Sequence, residues 1–169
     1  MSTTIPGPFE PAEIRRFLDS YLYRPEAFFI DEVLCLDREA LRVEAVMNTD
    51  RDLPLSNLQR TGPHHPAHVS GPELLMVTGS LACLHGWFFH GCRWDEGWAA
   101  YGSRIHRADF RSLVRIGPPL HLESRETRTR VGPRRVVTRC EIRFHQEDTL
   151  VYRGDQTVFF VRSGSAGIG

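Results

Sequence analysis

Residues 64–89, HHPAHVSGPELLMVTGSLACLHGWFF, form the segment around which the rest of the chain is predicted to pack. A loop containing His64, His65 and His68 leads into an apolar run. In that run large apolar residues recur at helical spacing, at Leu74, Val77, Leu81, Leu84 and Phe88. A helix that is apolar around most of its circumference must be buried. A second stripe, rich in small residues, predicts that a curved sheet packs close to its backbone; it consists of Leu75, Gly79, Ala82 and Gly86.

The composition is typical of one soluble globular domain. The chain has 169 residues, of which 41% are hydrophobic and 25% charged. We expect a single domain over 1–169, with 1–9 and 163–169 flexible. The formal net charge is zero, which argues against nucleic acid as the partner. All 21 basic residues are Arg, so lysine-dependent chemistry is excluded.

The N-terminal sequence MSTTIPGPFEPAEIRR lacks the basic and then apolar pattern of a signal peptide. The four cysteines form no CxxC pair, which suits reduced thiols in the cytoplasm. The apolar run from Leu74 to Phe89 is shorter than the roughly 20 residues needed to span a bilayer. We therefore expect a cytoplasmic protein without a membrane segment.

Outside the central segment, the sequence predicts one short helix and six strands. The helix begins at Pro11 and includes Leu22. Two strands precede the central helix, one over Phe28–Leu34 and one over 41–48. A polar loop follows over 49–72, and its length suggests a functional role. Four long antiparallel strands follow the helix, at 98–110, 119–131, 134–147 and 149–162. The expected class is α+β, with an antiparallel sheet wrapped around one long helix.

Three motifs, in the right order, resemble the hotdog fold and its β-hydroxyacyl-ACP dehydratase group. The segment from Tyr23 to Val33, YRPEAFFIDEV, is similar to that group's opening His-Arg-aromatic-Pro motif and strand. The segment HHPAH at 64–68, with Gly71-Pro72 after it, is similar to the group's His-Phe-Pro-Gly-His loop and helix start. The segment RADFR at 107–111, with Gly117-Pro118, is similar to a later strand and turn.

The resemblance implies a catalytic histidine at His64, but Thr78 stands where that group has its catalytic carboxylate, and Tyr23 replaces the opening histidine. A second hotdog group, the FcoT-like acyl thioesterases and enoyl-ACP glycyltransferases, has a Gly-His-x-x-x-x-Glu-Leu segment. His68 and Glu73-Leu74 match it, whereas Gly79-Ser80 replaces its Asn-Gln pair. The full residue set of neither group is present.

We expect the site to consist of a histidine imidazole placed beside the N-terminus of the central helix. His64 or His68 would act as base, because the pKa of histidine lies near neutrality. The backbone N–H groups at the helix start would hold a thioester carbonyl, with Gly71 and Pro72 giving close access. Because Glu73 lies in the first helical turn, its pKa should be lowered. It is therefore expected either to orient the substrate or act as a base, or only to interact with the helix dipole. We expect Thr78 and Tyr23 to contact substrate.

Other polar residues are expected to have structural roles. We interpret His85 and His90 as packing or interface residues, and the Arg-rich run from Arg125 to Arg139 as a solvated strand face. An acidic carrier protein could dock there or beside Arg104. Cys83 lies in apolar surroundings that raise a thiol pKa, so it is a poor nucleophile. Pro66 keeps His64 and His68 from sharing a helical face, and no metal site is expected.

The primary expectation is an acyl-thioester lyase of the dehydratase or hydratase kind, in fatty acid or polyketide-type biosynthesis. One alternative is a thioesterase or conjugate-addition enzyme of the FcoT-like kind. Another is a non-catalytic acyl-binding subunit. The resemblance implies an acyl chain carried on phosphopantetheine or CoA, no further cofactor, an acyl carrier protein or CoA thioester as partner, and a homodimer or higher oligomer with its sites at the interface.

Overall fold

The computed structural model describes residues 9–163. Apart from Phe9 and Ser163, the ends expected to be flexible lie outside the described residues. The helices are α1 (Pro11–Asp19) and α2 (Gly71–Leu84), and α2 continues as a π-helical turn over His85–Phe89. The strands are β1 (Glu32–Asp37), β2 (Arg42–Met47), β3 (His68–Val69), β4 (Trp98–Phe110), β5 (Val114–Arg115), β6 (Leu120–Val131), β7 (Arg135–Gln146) and β8 (Thr149–Arg162).

Six strands form one antiparallel sheet in the order β1-β2-β6-β7-β8-β4, which leaves β4 at an edge. Strands β3 and β5 form a separate two-stranded sheet. Alternate residues of β7, from Val136 to Phe144, are buried in the core, as expected of a half-buried strand. This is the hotdog architecture, with the core between the sheet and its central helix.

The close packing predicted for the small-residue stripe is confirmed at Gly86. A Cβ atom placed there would lie only 2.5 Å from a ring carbon of Phe160 in β8. Helix α2 begins at Gly71, next to Pro72, where the sequence predicts its start. Ser70 is the N-cap of a capping box with Glu73, and this arrangement satisfies backbone groups at the helix start.

Several predicted boundaries were wrong. Residues 28–30 are buried but do not form a strand. They lie between a 3₁₀ turn over Pro25–Ala27 and strand β1, which starts at Glu32. Helix α1 ends at Asp19, before Leu22. The loop over 49–72 contains a 3₁₀ turn and strand β3, which pairs with the equally unpredicted β5. Two-residue strands carry too little periodicity to be detected.

Among the described residues, no helix is long and apolar enough to cross a membrane.

Candidate functional site

A cavity of about 560 Å³ lies between the outward face of α2 and the edge strand β4. Its wall is mainly apolar, as is usual for a small-molecule site. The helix contributes Leu75, Met76, Gly79, Ala82 and Cys83, and β4 contributes the segment from Ala100 to Ile105. Tyr21, Tyr23 and Ala27 close one side.

The small residues of α2 create this space. A Cβ atom at Gly79 would have no neighbour within 4 Å, in contrast to Gly86, which lies about two helical turns further along the chain. The opposite wall is bent, because β4 has irregular register between Gly102 and Arg104 and again between Ile105 and Arg107. The small-residue stripe therefore packs against the sheet at one end and borders a cavity at the other.

Thr78 and Gln156 are joined by hydrogen bonds at the buried side of the cavity. The Thr78 hydroxyl lies 2.6 Å from the Leu75 carbonyl oxygen and 3.0 Å from Gln156 Oε1. Gln156 Nε2 donates to the Thr78 carbonyl at 3.3 Å. An amide nitrogen has two N–H groups, so one remains for a ligand. Thr78, expected to contact substrate, does line the cavity.

Sequence reasoning missed Gln156. It occupies an inward position of β8, between the apolar residues Gly154 and Val158. A polar side chain on the apolar side of an alternating strand was the available signal. Tyr23, the other residue expected to contact substrate, lines the cavity and remains 65% exposed.

The candidate catalytic histidines lie outside the cavity of their own chain. His64 is exposed in the loop before β3. His68 is half-buried in β3, with Nδ1 2.8 Å from the Pro66 carbonyl oxygen and its ring edge-on to that of His65. The Gln59 side chain fixes the backbone of His68 by donating to its carbonyl and accepting from its N–H. Hydrogen bonds thus position His68, whereas the His64 side chain makes no hydrogen bond, ion pair or ring contact within residues 9–163.

Glu73 is fully buried and serves as an anchor for the preceding loop. Its carboxylate accepts hydrogen bonds from the backbone N–H groups of Leu55 and Ser56 and from the hydroxyls of Ser56 and Ser70. Burial alone would raise the pKa of Glu73, but these hydrogen bonds outweigh it and lower the pKa. The direction agrees with the expectation, and the hydrogen bonds from the loop and from Ser70 are its cause.

Gly71 and Pro72 also lie outside the cavity wall. A Cβ atom at Gly71 would meet the ring of Phe110 at 3.2 Å. That ring occupies the space expected for substrate at the helix start, and Pro72 is exposed beside it.

Within the described chain, the cavity wall includes no histidine, aspartate or glutamate. Its two ionisable inner groups are poor nucleophiles. Burial raises the pKa of the Cys83 thiol to about 12, and burial likewise raises the pKa of the Tyr21 hydroxyl well above its usual range. Among the described residues of the wall, Arg104 is the one with a cationic side chain, and it is exposed to solvent.

A second polar cluster is sealed in the core beneath the far end of α2. His85 and His90 both bind Glu126, and His85 also binds Ser124. Of the two roles predicted for these histidines, packing or an interface, the first describes their place in this chain. No group of three His, Cys, Asp or Glu side chains within residues 9–163 is arranged to hold a metal ion.

No protein-family model and no curated protein sequence matches the chain. Solved structures do resemble it. A sigma28-regulated virulence protein from Campylobacter jejuni gives a TM-score of 0.54 at 13% identity, over 92% of this chain and 94% of that one. A mutant of the fluoroacetyl-CoA-specific thioesterase FlK gives 0.52 at 11% identity, over 72% and 85%. A thioesterase from Haemophilus influenzae gives 0.48 at 19% identity, over 74% and 75%. The first two likenesses confirm the fold predicted from the sequence.

Proposed function

We propose that this hotdog-fold protein is a thioester hydrolase, and that the cavity between α2 and β4 takes the acyl chain and the end of its pantetheine arm. The main support for this proposal is the cavity. Its apolar wall suits an acyl chain, and its polar residues Thr78 and Gln156 suit a carbonyl group. The shared fold with a fluoroacetyl-CoA thioesterase supports hydrolysis by analogy. Dehydration is a weaker proposal, because Thr78 stands where the dehydratase-like group has its carboxylate.

Hydrolysis requires that water attack the carbonyl carbon, that the C–S bond break, and that the departing sulfur receive a proton. The free amide N–H of Gln156 is suited to hold the carbonyl oxygen as negative charge develops on it. The Thr78 hydroxyl, 3.0 Å from Gln156 Oε1, orients that amide. The cavity wall still needs a base for the water.

A second copy of the chain would supply that base. Strand β4 pairs with β8 on one side and forms an edge of the sheet over residues 9–163, and Tyr101 and Ile105 on it are 43% and 53% exposed. Antiparallel pairing of two β4 strands would place the C-terminal half of one beside the N-terminal half of the other. Because β5 follows β4 and pairs with β3, this arrangement carries the partner's histidine loop toward the cavity. We propose a homodimer in which His64 or His68 acts across the interface.

The test is thiol release from acyl-CoA and acyl-pantetheine substrates of graded chain length, followed with a thiol reagent. A parallel assay follows enoyl absorbance from β-hydroxyacyl-pantetheine. We expect thiol release without enoyl formation. Gln156→Met should lower kcat/KM by about 100-fold, the usual effect of removing an oxyanion donor. His64→Ala and His68→Ala identify the base, and His121→Ala, on the outer sheet face, is their control.

A second candidate function is binding of an acyl chain without turnover. The observation in its favour is the absence of any imidazole or carboxylate from the described cavity wall. Acyl-CoA would then bind stoichiometrically and be recovered intact after prolonged incubation. Thiol release that depends on His64 or His68 would reject this candidate.

A further inference from the structure

We propose that the outer face of the sheet carries a binding site for a phosphate-bearing small anion, distinct from the acyl cavity, with which it shares Thr157 in its lining. A cavity of about 260 Å³ opens there, and it is lined by His106, Arg128, Arg130, Val137, Arg139 and Thr157. Three guanidinium groups therefore surround one depression in a chain whose formal net charge is zero.

The register of the sheet brings these cations together. Arg128 of β6 lies directly opposite Arg139 of β7, and Arg139 lies opposite Thr157 of β8. Arg130 follows two residues after Arg128 and so points to the same face. Like charges directly opposite each other in a sheet are destabilising, and an anion bound between them would relieve that repulsion.

The protein neutralises only part of this charge. Asp155 binds Arg139 through two hydrogen bonds, at 2.7 and 2.5 Å, which holds that guanidinium in one orientation. Arg128 and Arg130 have no ion pair and no side-chain hydrogen bond within the described part of the chain. Two guanidinium groups thus remain available beside a third that is already oriented.

The remaining polar groups of the depression suit an oxyanion. His106 Nε2 lies 2.8 Å from the Thr157 hydroxyl, which positions the ring and leaves Nδ1 for a ligand. Arginine forks match the paired oxygens of phosphate, and such charge-assisted hydrogen bonds are among the strongest in proteins. The recognised chemistry is therefore a phosphate or pyrophosphate group, either inorganic or at the end of a nucleotide.

Calorimetric titration of the full-length protein at fixed ionic strength tests the site. The probes are inorganic phosphate, pyrophosphate, ADP and adenosine 3′,5′-bisphosphate. We expect one pyrophosphate or nucleotide per chain, and an affinity at least about tenfold lower in Arg128→Gln and in Arg130→Gln. Arg125→Gln is the matched control, since Arg125 is an exposed arginine of the same strand outside the depression. Tighter binding of nucleotides than of pyrophosphate would assign the source of the phosphate.

Three outcomes would overturn the proposal: no binding of any probe, an equal loss of affinity in Arg125→Gln, or binding only to a single-stranded oligonucleotide with a salt dependence spanning many phosphates. Thiol-release activity is a separate readout. Arg128→Gln is expected to leave hydrolysis of acyl-pantetheine, which lacks the nucleotide, unchanged. The anion site and the hydrolase proposal can therefore fail independently.

Discussion

The imidazole of His85 and the carboxylate of Glu126 form a hydrogen bond inside the core, with 2.9 Å between Nδ1 and Oε1. His90 binds the same carboxylate, at 2.8 and 3.0 Å from its two oxygens. His85 opens the π-helical turn after α2, and Glu126 lies at an irregularity in the register of β6 and β7. The cluster therefore ties the end of the central helix to the middle of the sheet.

Replacement of Glu126 by Gln should lower the free energy of unfolding by about 3 kcal/mol at pH 7, because it removes one partner of a buried charged network. Burial would raise the pKa of Glu126, but hydrogen bonds from His85 and His90 hold it well below the ordinary value of 4.5. A group whose folded pKa is depressed contributes stability above its unfolded pKa and loses it as pH falls.

Denaturant unfolding of the wild type should therefore show stability falling below about pH 5, where the unfolded carboxyl begins to bind protons. In Glu126→Gln that part of the pH dependence should be missing. Glu141→Gln, at an exposed site on β7, should change neither quantity. An unchanged acid limb in Glu126→Gln would show that the carboxylate is not ionised in the core.

Alanine at Gly86 and at Gly79 should have opposite effects on stability. At Gly86 the new Cβ would lie 2.5 Å from the Phe160 ring, so we expect a loss of about 1–3 kcal/mol from overpacking. At Gly79 the Cβ enters open space, and the better helix propensity of alanine should add up to about 1 kcal/mol. Thermal and denaturant unfolding of the two variants measure the difference, and equal effects would place both glycines in the same environment.

The sequence was sufficient to predict the central helix and the long strands, because fourteen helical residues and strands of 12 to 14 residues carry clear periodicity. Strand β4 was predicted with its observed bounds, Trp98–Phe110. The site was harder to predict. Thr78 and Tyr23 were placed by resemblance to a family motif, whereas Gln156 comes from a strand 78 residues away from Thr78 and meets it only through the sheet.

Glu126 shows why local pattern fails in the core. It lies in the run RETRTR, which was interpreted as a solvated strand face, yet its side chain is almost fully buried. The register shift between Glu126 and Arg128 changes which residues face inward, and Thr129 and Thr138 then meet beside the carboxylate. The arginines of this run are exposed, as the predicted solvated face requires. The burial of the polar residues between them depends on the register shift, which the sequence does not reveal.

Loss of the Glu73 carboxylate should lower the stability of the protein rather than act directly on thiol release. Glu73→Ala removes the acceptor for the N–H groups of Leu55 and Ser56 and leaves them in a partly buried loop. We expect a loss of about 1–3 kcal/mol in the free energy of unfolding. Ser56→Ala, which removes one donor to the same carboxylate, should cost less. Abolished thiol release in a Glu73→Gln variant of wild-type stability would instead indicate a direct role in the reaction.

The four cysteines should react with a thiol reagent at very different rates. Burial raises the pKa of Cys83, Cys92 and Cys140 to about 12 in each case, whereas Cys35 is partly exposed. At pH 8 the native protein should therefore release one equivalent of chromophore rapidly, and four after denaturation. Cys35→Ser should abolish the fast phase. A fast phase that survives Cys35→Ser and disappears in Cys83→Ser would show that the cavity thiol is reactive.

A charge at Ile105 should separate the proposed homodimer. Ile105 is 53% exposed on the edge strand and also lines the cavity, so burying a carboxylate there against a second β4 would be costly. We expect Ile105→Glu to be monomeric by sedimentation and to lose thiol release. Because the same change alters the cavity, loss of activity alone would not show that the dimer has separated.

Val131→Glu, at a site that is 71% exposed on β6, is the matched control for an added surface charge. Ile105→Glu sedimenting as the wild type does, at every concentration tested, would rule out association through β4 and with it the supply of His64 or His68 from a second copy.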